Sequence, residues 1–326
     1  MKIHIAFCRL ISISISIAVL FSVSTYAADK SVLNDADAIK YKKTVSILDN
    51  NRGNDGPLNL ARSNLEDILK IYPRYAPAHR EMARYYIIDG QINYQKGAWK
   101  FAPGSLENAE KAIKKAVEID PDFAEAYVLF GHLYRLMLRP QEAIAALKKA
   151  EKLTTNDPWL HNNWADLLMD DRKDDQAASH YEKVLSNPSA NRKAKITAFE
   201  GLNSYYLNTN NLDKVDMLFK QRIQFDPDGA WGYGNYAQFL LCKKDDYEGA
   251  ILRSKEALNI MDYGAARYWL SAALYRKWVQ NVATGKTDIG NKALIDAQQI
   301  YPNLNIQGTN WATCLPMQTV AKALKK

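Results

Sequence analysis

Small and large apolar residues recur along this chain at helical spacing. One pattern has the form small–x3–large–x2–small–x4–Pro, as in Ala109, Ile113, Ala116 and Pro121. Offsets of three, four and seven place side chains on one face of a helix, so the pattern predicts a helix with one packing face. Imperfect copies begin at Ala61, Ala143, Ala177, Val215, Ala250 and Gly290, with 34 residues from Ala109 to Ala143 and from Ala143 to Ala177, and 35 to 48 residues elsewhere.

A second pattern, large–x2–large–small–x2–large, precedes the first. It reads Tyr127, Phe130, Gly131 and Tyr134 in one unit. The small residues let two helices approach at the close end of the usual ~8–10 Å axis separation. A proline after the second helix prevents that helix from continuing. Each unit is therefore predicted to be a pair of helices, and further copies begin at His79, His161, Phe199, Tyr233 and Tyr268.

Together these motifs resemble the tetratricopeptide repeat, a helix–turn–helix unit of ~34 residues. The resemblance implies an all-α fold: a right-handed superhelical solenoid of six to seven antiparallel hairpins, ending in a capping helix at 303–326. It weakens where Arg222 and Ser254 replace packing residues. The expected hairpins are approximately 33–73, 76–121, 124–157, 158–191, 196–227, 230–262 and 265–302.

Two insertions interrupt the ladder, one of fourteen residues between Tyr86 and Ala109 and one of six between Tyr275 and Gly290. Both fall within a hairpin, so both are expected at one edge of the array, which is often the binding edge in solenoids. The aromatic residues Trp99 and Phe101 favour binding by the insertion at 87–105. The alternatives are a lengthened helix end and a segment that folds back over a helix.

The N-terminus predicts a cleavable signal peptide at 1–27. Lys2 and Arg9 precede a short apolar block, and Thr25-Tyr26-Ala27 offers small residues for cleavage after Ala27. The block is shorter than the ~20 apolar residues of a spanning helix, so an integral membrane protein is not expected. The predicted location is the periplasm or the exterior of the cell.

Charge and cysteine content add two expectations. The net charge of +7 falls to +5 without Lys2 and Arg9, and the basic residues are evenly spread, so nucleic-acid binding is not expected. After cleavage, Cys242 and Cys314 remain. In an oxidising compartment they are candidates for a disulfide, and two separate apolar thiols are the alternative.

Searches for catalytic, cofactor and metal motifs fail, so no enzyme, cofactor or metal site is expected. Gly285-Lys286-Thr287 lacks the earlier glycine of a phosphate-binding loop, since position 280 is Gln. The polar segment 49–56 has the wrong spacing for calcium. No paired cysteine motif suggests zinc.

The resemblance implies a concave groove lined by the first helix of each repeat. Residues one, two and five positions after the first large residue are predicted to face it. Arg binds carboxylates bidentately, and Asn and Gln suit an extended peptide backbone. A merely solvated wall is the alternative. The candidate peptide-binding residues are Arg80, Arg84, His132, Asn162, Asn163, Asp166, Asn235, Gln238 and Trp269.

The sequence therefore favours a non-enzymatic interaction scaffold or assembly factor of the cell envelope. Its partner would be a protein or peptide that the sequence does not identify. A self-associating structural protein of undetermined oligomeric state is the second hypothesis. The third is an enzyme with its site in the insertion at 87–105, which is disfavoured because residues 90–105 contain no His, Cys or acidic residue.

Overall fold

A computed structural model describes residues 32–51, 55–95 and 98–302. The predicted signal peptide and capping helix lie outside these residues. The described helices are α1 Asp35–Asn50, α2 Asp55–Ile71, α3 Ala76–Asp89, α4 Ser105–Ile119, α5 Ala124–Leu136, α6 Pro140–Lys152, α7 Trp159–Asp170, α8 Asp174–Ser186, α9 Arg192–Asn208, α10 Leu212–Phe225, α11 Ala230–Lys243, α12 Tyr247–Ile260, α13 Gly264–Ala283 and α14 Thr287–Ile300, and two strands, β1 Gln91–Gln95 and β2 Ala98–Phe101, lie between α3 and α4.

Consecutive helices pack in pairs, which form hairpins 1 to 7 from α1–α2 to α13–α14. The small residues of the sequence pattern allow the close approach of each pair. At Gly131 of α5, an added Cβ would lie only 2.2 Å from Leu147 Cδ2 of α6. The all-α solenoid predicted from the sequence is confirmed.

The turn inside most hairpins has one residue in the left-handed region. Hairpins 3 to 6 use Leu138, Arg172, Asn210 and Asp245, and hairpin 7 uses Gly285. The next residue donates its backbone N–H to a carbonyl of the first helix, as Arg139 does to Tyr134 at 2.8 Å. Such a bond satisfies a carbonyl that the helix end leaves without a partner.

The insertion in hairpin 2 contains two strands that the sequence analysis did not predict. The strands β1 and β2 pair antiparallel, with Tyr94 opposite Trp99 and Gln95 opposite Ala98. Phe101 packs against the core formed by hairpins 2 and 3, so this aromatic residue covers helices. Between Ile92 and Phe101 the insertion alternates apolar and polar residues. This period of two is typical of a β-strand and accounts for the two strands.

Buried apolar side chains are distributed differently in the two halves of the array. A single cluster extends from Ala165 in α7 to Ala297 in α14. The N-terminal hairpins instead contain separate clusters, one centred on Leu65, one on Ile113 and one on Leu147. Each of these three clusters bridges two neighbouring hairpins, so apolar contacts join the N-terminal hairpins in pairs without merging into one cluster.

Candidate functional site

The first helices of the hairpins form one wall of the array. Neighbouring first helices contact one another from α1 to α9 and again between α11 and α13, while each second helix packs mainly between two first helices. Elements that approach one another more closely lie on the inside of a curve, so the first helices line the concave side. We refer to this surface as the inner wall.

Arg80 and Arg84 lie on the inner wall, but their guanidinium groups are engaged within the protein. Both bind the carboxylate of Glu81, which is fully buried, and Arg84 Nη1 lies 2.6 Å from Glu81 Oε2. Arg84 also donates to Asp49 Oδ1 of α1 at 2.5 Å. Arg80 Nη2 lies 3.6 Å from Asp157 Oδ2, in the segment before α7.

This charge cluster joins α1, α3 and the segment between α6 and α7. Burial raises the pKa of Asp157, although Arg80 acts to lower it. Glu81 holds both arginines on α3, and their second partners, Asp49 and Asp157, lie in other hairpins or in the segment between hairpins 3 and 4. The prediction that Arg80 and Arg84 are available to clamp a ligand carboxylate is therefore corrected.

Asn162 and Asn163 require a similar correction, because both side chains are buried. The Asn162 amide donates to the Ala194 carbonyl of α9 at 3.0 Å, and the Asn163 amide donates to the Val128 carbonyl of α5 at 2.9 Å. These bonds join α7 to the first helices on either side. The two amides therefore connect neighbouring hairpins and do not face an open groove.

Asp166 lies on the inner wall of α7 and also has partners within the protein. It accepts a hydrogen bond from the Tyr181 hydroxyl at 2.7 Å and lies 3.2 Å from Arg135 Nη1 of α5. Burial raises its pKa, against the effects of Arg135 and Tyr181. Its carboxylate thus connects hairpins 3 and 4.

The remaining predicted residues have no described hydrogen-bond partner for their side chains. His132, Asn235 and Trp269 are half-buried, and Gln238 is exposed. Burial, and then the positive charges of Arg135 and Lys193, lower the pKa of His132 to about 4. His132 is therefore neutral near pH 7, when its ring can accept as well as donate a hydrogen bond.

Lys193 is an inner-wall residue that the sequence analysis missed. It is exposed at the start of α9, yet its ammonium group acts on His132 of α5 and is influenced by Arg84 and Asp49 of hairpins 2 and 1. Residues so distant in sequence approach one another only if the array curves back on itself. Surrounding protein, and then repulsion by Arg84, lower the pKa of Lys193.

Three further observations on the protein concern metal ligands, membrane-spanning helices and Cys242. In the part of the chain that the structure describes, no three His, Cys, Asp or Glu side chains cluster as metal ligands. None of the described helices has the length and apolar character needed to span a membrane. Cys242 of α11 is disulfide-bonded. Its predicted pairing with Cys314, which lies outside the described residues, stays a prediction.

Comparison with known proteins identifies the repeat. A family model described as tetratricopeptide repeat matches residues 91–123 and 124–157, which contain α4 to α6. Protein O-mannosyl-transferase TMTC3 of Homo sapiens is 27% identical over 175 residues, 52% of this chain. A TPR repeat-containing protein of Dictyostelium discoideum is 23% identical over 53% of this chain and 67% of its own length. The matched region spans only 18% of the human protein.

Solved structures share the architecture at low identity. PilF of Pseudomonas aeruginosa has a TM-score of 0.50 at 15% identity, over 70% of this chain and 92% of its own. PilW, a type IV pilus biogenesis factor, has a TM-score of 0.50 at 13% identity, over 76% and 98% of the two chains. A chain of the APC/C hetero-tetramer Cut9–Hcn1 has a TM-score of 0.54 at 17% identity, over 73% and 46%. At these identities the likeness shows the fold alone.

Proposed function

The chain belongs to the tetratricopeptide-repeat family, and from this premise we propose that it is a non-enzymatic scaffold that binds an extended segment of a partner protein along its inner wall. The family is typically non-enzymatic and serves protein–protein interaction. The observation that carries the proposal is a set of first-helix side chains for which the described part of the chain offers no hydrogen-bond partner, namely His132, Lys193, Asn235 and Gln238.

These side chains supply complementary interactions. The amides of Asn235 and Gln238 can each donate to a backbone carbonyl and accept from a backbone N–H. Lys193 provides a positive charge for a carboxylate of the bound segment. Trp269, whose ring contacts Tyr268 edge-on with centroids 4.8 Å apart, offers an apolar surface. An extended segment with an acidic residue toward the N-terminal hairpins and an apolar residue toward α13 would match this order.

The test is site-specific photo-crosslinking in the native cell. A benzophenone amino acid replaces Gln238 or Lys193, and a matched control replaces Lys148, which is exposed on the second helix α6. Crosslinks to one protein from both inner-wall positions and not from Lys148 are expected. Equal crosslinking from all three positions would overturn the proposed binding surface. Crosslinks only to a second copy of this chain would favour the self-associating alternative, which sedimentation of the purified protein then measures.

We also propose that the scaffold acts in the cell envelope. The support is the charged start, short apolar block and small-residue exit within residues 1–27. Fractionation followed by N-terminal sequencing is expected to recover a chain beginning at Ala28 outside the cytoplasm. A cytoplasmic chain that retains Lys2 and Arg9 would contradict this location without affecting the proposed binding wall.

A further inference from the structure

Two histidines of hairpin 4 face each other at a short distance. His161 Nδ1 of α7 lies 3.1 Å from His180 Nδ1 of α8, with ring centroids 5.1 Å apart and ring planes at 65°. Both rings are half-buried, so the pair is reached from solvent. From this geometry we propose that His161 and His180 form a two-histidine site for a divalent transition-metal ion of the Cu²⁺ or Zn²⁺ class, whose remaining positions water fills.

The separation of the nitrogens suits a shared metal. Imidazole nitrogens bind Zn²⁺ at ~2.0–2.1 Å, and two such bonds to nitrogens 3.1 Å apart enclose an angle of roughly 98° at the metal. That angle lies between the octahedral and tetrahedral values. Each ring then turns by roughly 40°, so that its lone pair points at the ion and not at the other nitrogen, and the χ2 angle of histidine allows such rotation.

The surroundings favour the neutral form of both rings, which is the form that binds a metal. Burial, followed by the effects of His161 and Lys183, lowers the pKa of His180 to about 4. Burial also lowers the pKa of His161, with Lys183 acting in the same direction and Glu151 against it.

The charged groups around the pair have opposite effects on an ion. The ammonium group of Lys183, one turn from His180 on α8, repels a cation. The carboxylate of Glu151, in the last turn of α6, attracts it and is the acidic group whose charge reaches His161. Since three clustered ligands are absent among the described residues, the two imidazoles define an open site. Open positions at such a metal leave room for water or for a ligand from a partner.

Rigid packing holds the pair in place. The two histidines lie on the antiparallel helices of one hairpin, and the Trp164 ring lies 6.3 Å from the His180 ring. A rigid, nearly correct placement of two ligands reduces the ordering cost of binding. Trp164 also supplies an optical signal, because Cu²⁺ quenches indole fluorescence at short range.

The test is calorimetric titration of the full chain, purified without a histidine tag, with CuCl₂ and separately with ZnCl₂. The variants are His161→Ala, His180→Ala and the conservative His180→Gln, and His79→Ala is the matched control because its ring contacts the Pro73 carbonyl and no second histidine. We expect each variant of the pair to raise the dissociation constant by about tenfold or more. His79→Ala should leave it unchanged, and the double variant should resemble the single ones.

Two further readouts separate metal binding from a structural role. The Cu²⁺ complex is expected to show paramagnetic-resonance coupling to two imidazole nitrogens, and Trp164→Phe should remove much of the fluorescence quenching without weakening binding. Circular dichroism establishes that each variant is folded. Equal Cu²⁺ affinity in folded His180→Gln and wild type, or a spectrum without two-nitrogen coupling, would overturn the site and reduce the pair to a hydrogen bond.

Discussion

Apolar clusters join neighbouring hairpins in both halves of the array, but they are separate in the N-terminal half and continuous in the C-terminal half. In hairpins 1 to 4, polar groups also connect the first helices: Arg84 donates to Asp49 of α1, and Asn162 and Asn163 donate to backbone carbonyls of α9 and α5. In hairpins 5 to 7, one apolar cluster continues through neighbouring units. A repeat array needs only contacts between neighbours, so both solutions maintain the same fold.

The difference has consequences for both stability and binding. Buried charges are costly to separate from their partners, whereas apolar contacts lose stability in proportion to the volume removed. Arg80 and Arg84 already bind a carboxylate within the protein, so they are not available to a ligand. By contrast, no hydrogen-bond partner is described for the side chains of Asn235 and Gln238 in hairpin 6. The C-terminal half thus leaves more of its inner wall available.

The largest expected effect is the loss of the buried carboxylate in the N-terminal half. Glu81→Gln keeps the side-chain size but leaves two partly buried guanidinium groups without their shared anion, so we expect the free energy of unfolding to fall by about 3–5 kcal/mol. Urea denaturation measures this change. The control Glu66→Gln removes an exposed pair with Arg62 and should have little effect. A Glu81→Gln protein as stable as wild type would show that the buried carboxylate does not stabilise the charge cluster.

The apolar cores of the two halves should respond differently to the truncation of a buried leucine. Leu65→Ala and Leu241→Ala each truncate a leucine with at most 1% exposure and should each cost about 2–5 kcal/mol. The part of the chain that each substitution destabilises should differ, because the Leu65 cluster involves hairpins 1 and 2 while the Leu241 cluster continues from α7 to α14. Hydrogen exchange should show faster opening in hairpins 1 and 2 for the first variant and across hairpins 4 to 7 for the second. The same local response to both would contradict the distinction.

The sequence was sufficient for the helical architecture because its packing depends on local spacing. The offset of Ala109, Ile113 and Ala116 identifies one helix face, and Gly131 marks the closest helix contact. The β-hairpin was missed because its alternation, at Ile92 and Phe101, was interpreted as part of a loop insertion. The signal that identifies the β-hairpin is that apolar residues recur every second position there, whereas they follow the helical period of 3.6 residues elsewhere in the array.

The inner wall was harder to predict because it depends on contacts between distant repeats. Residues Asn162 and Asn163 are adjacent in sequence, yet they bind helices on opposite sides of α7. Lys193 approaches Asp49 only through the curvature of the array. The family resemblance implied that the first helices line the groove, but neither it nor the local offsets could show which side chains were already engaged.

A moderate pH effect should distinguish the halves, because all four described histidines lie in hairpins 2 to 4 and residues 181–326 contain none. A histidine whose pKa falls from ~6.5 in the unfolded chain to about 4 in the folded protein, as for His132 and His180, binds protons more readily when unfolded. Its stability contribution is therefore present above about pH 6.5 and is lost as the pH falls toward 4.

Thermal unfolding at pH 7 and pH 5 tests this dependence. We expect the melting temperature to fall on acidification, and to fall less in His132→Gln than in wild type. The raised pKa values of Asp157 and Asp166 act in the opposite direction in both proteins, so the difference between the proteins isolates His132. Hydrogen exchange, corrected for the intrinsic pH dependence of the rate, should place the loss in hairpins 2 to 4. An equal loss in hairpins 5 to 7 would contradict the assignment to histidines.

The smallest expected effect concerns the turns inside the hairpins, which have the same backbone form in both halves. Leu138 in hairpin 3 has a φ of 58° and is 88% exposed, while Gly285 provides the left-handed residue in hairpin 7. Leu138→Gly should stabilise the protein by up to about 1 kcal/mol, because glycine removes the Cβ strain of this conformation and no packing is lost. Leu138→Ala keeps the Cβ and should leave stability nearly unchanged. Gly285→Ala should destabilise hairpin 7 by about 1 kcal/mol. The urea denaturation midpoints of the three variants measure these changes. Similar effects of the Cβ atom in hairpins 3 and 7 would show that turn strain does not depend on how each half joins its hairpins.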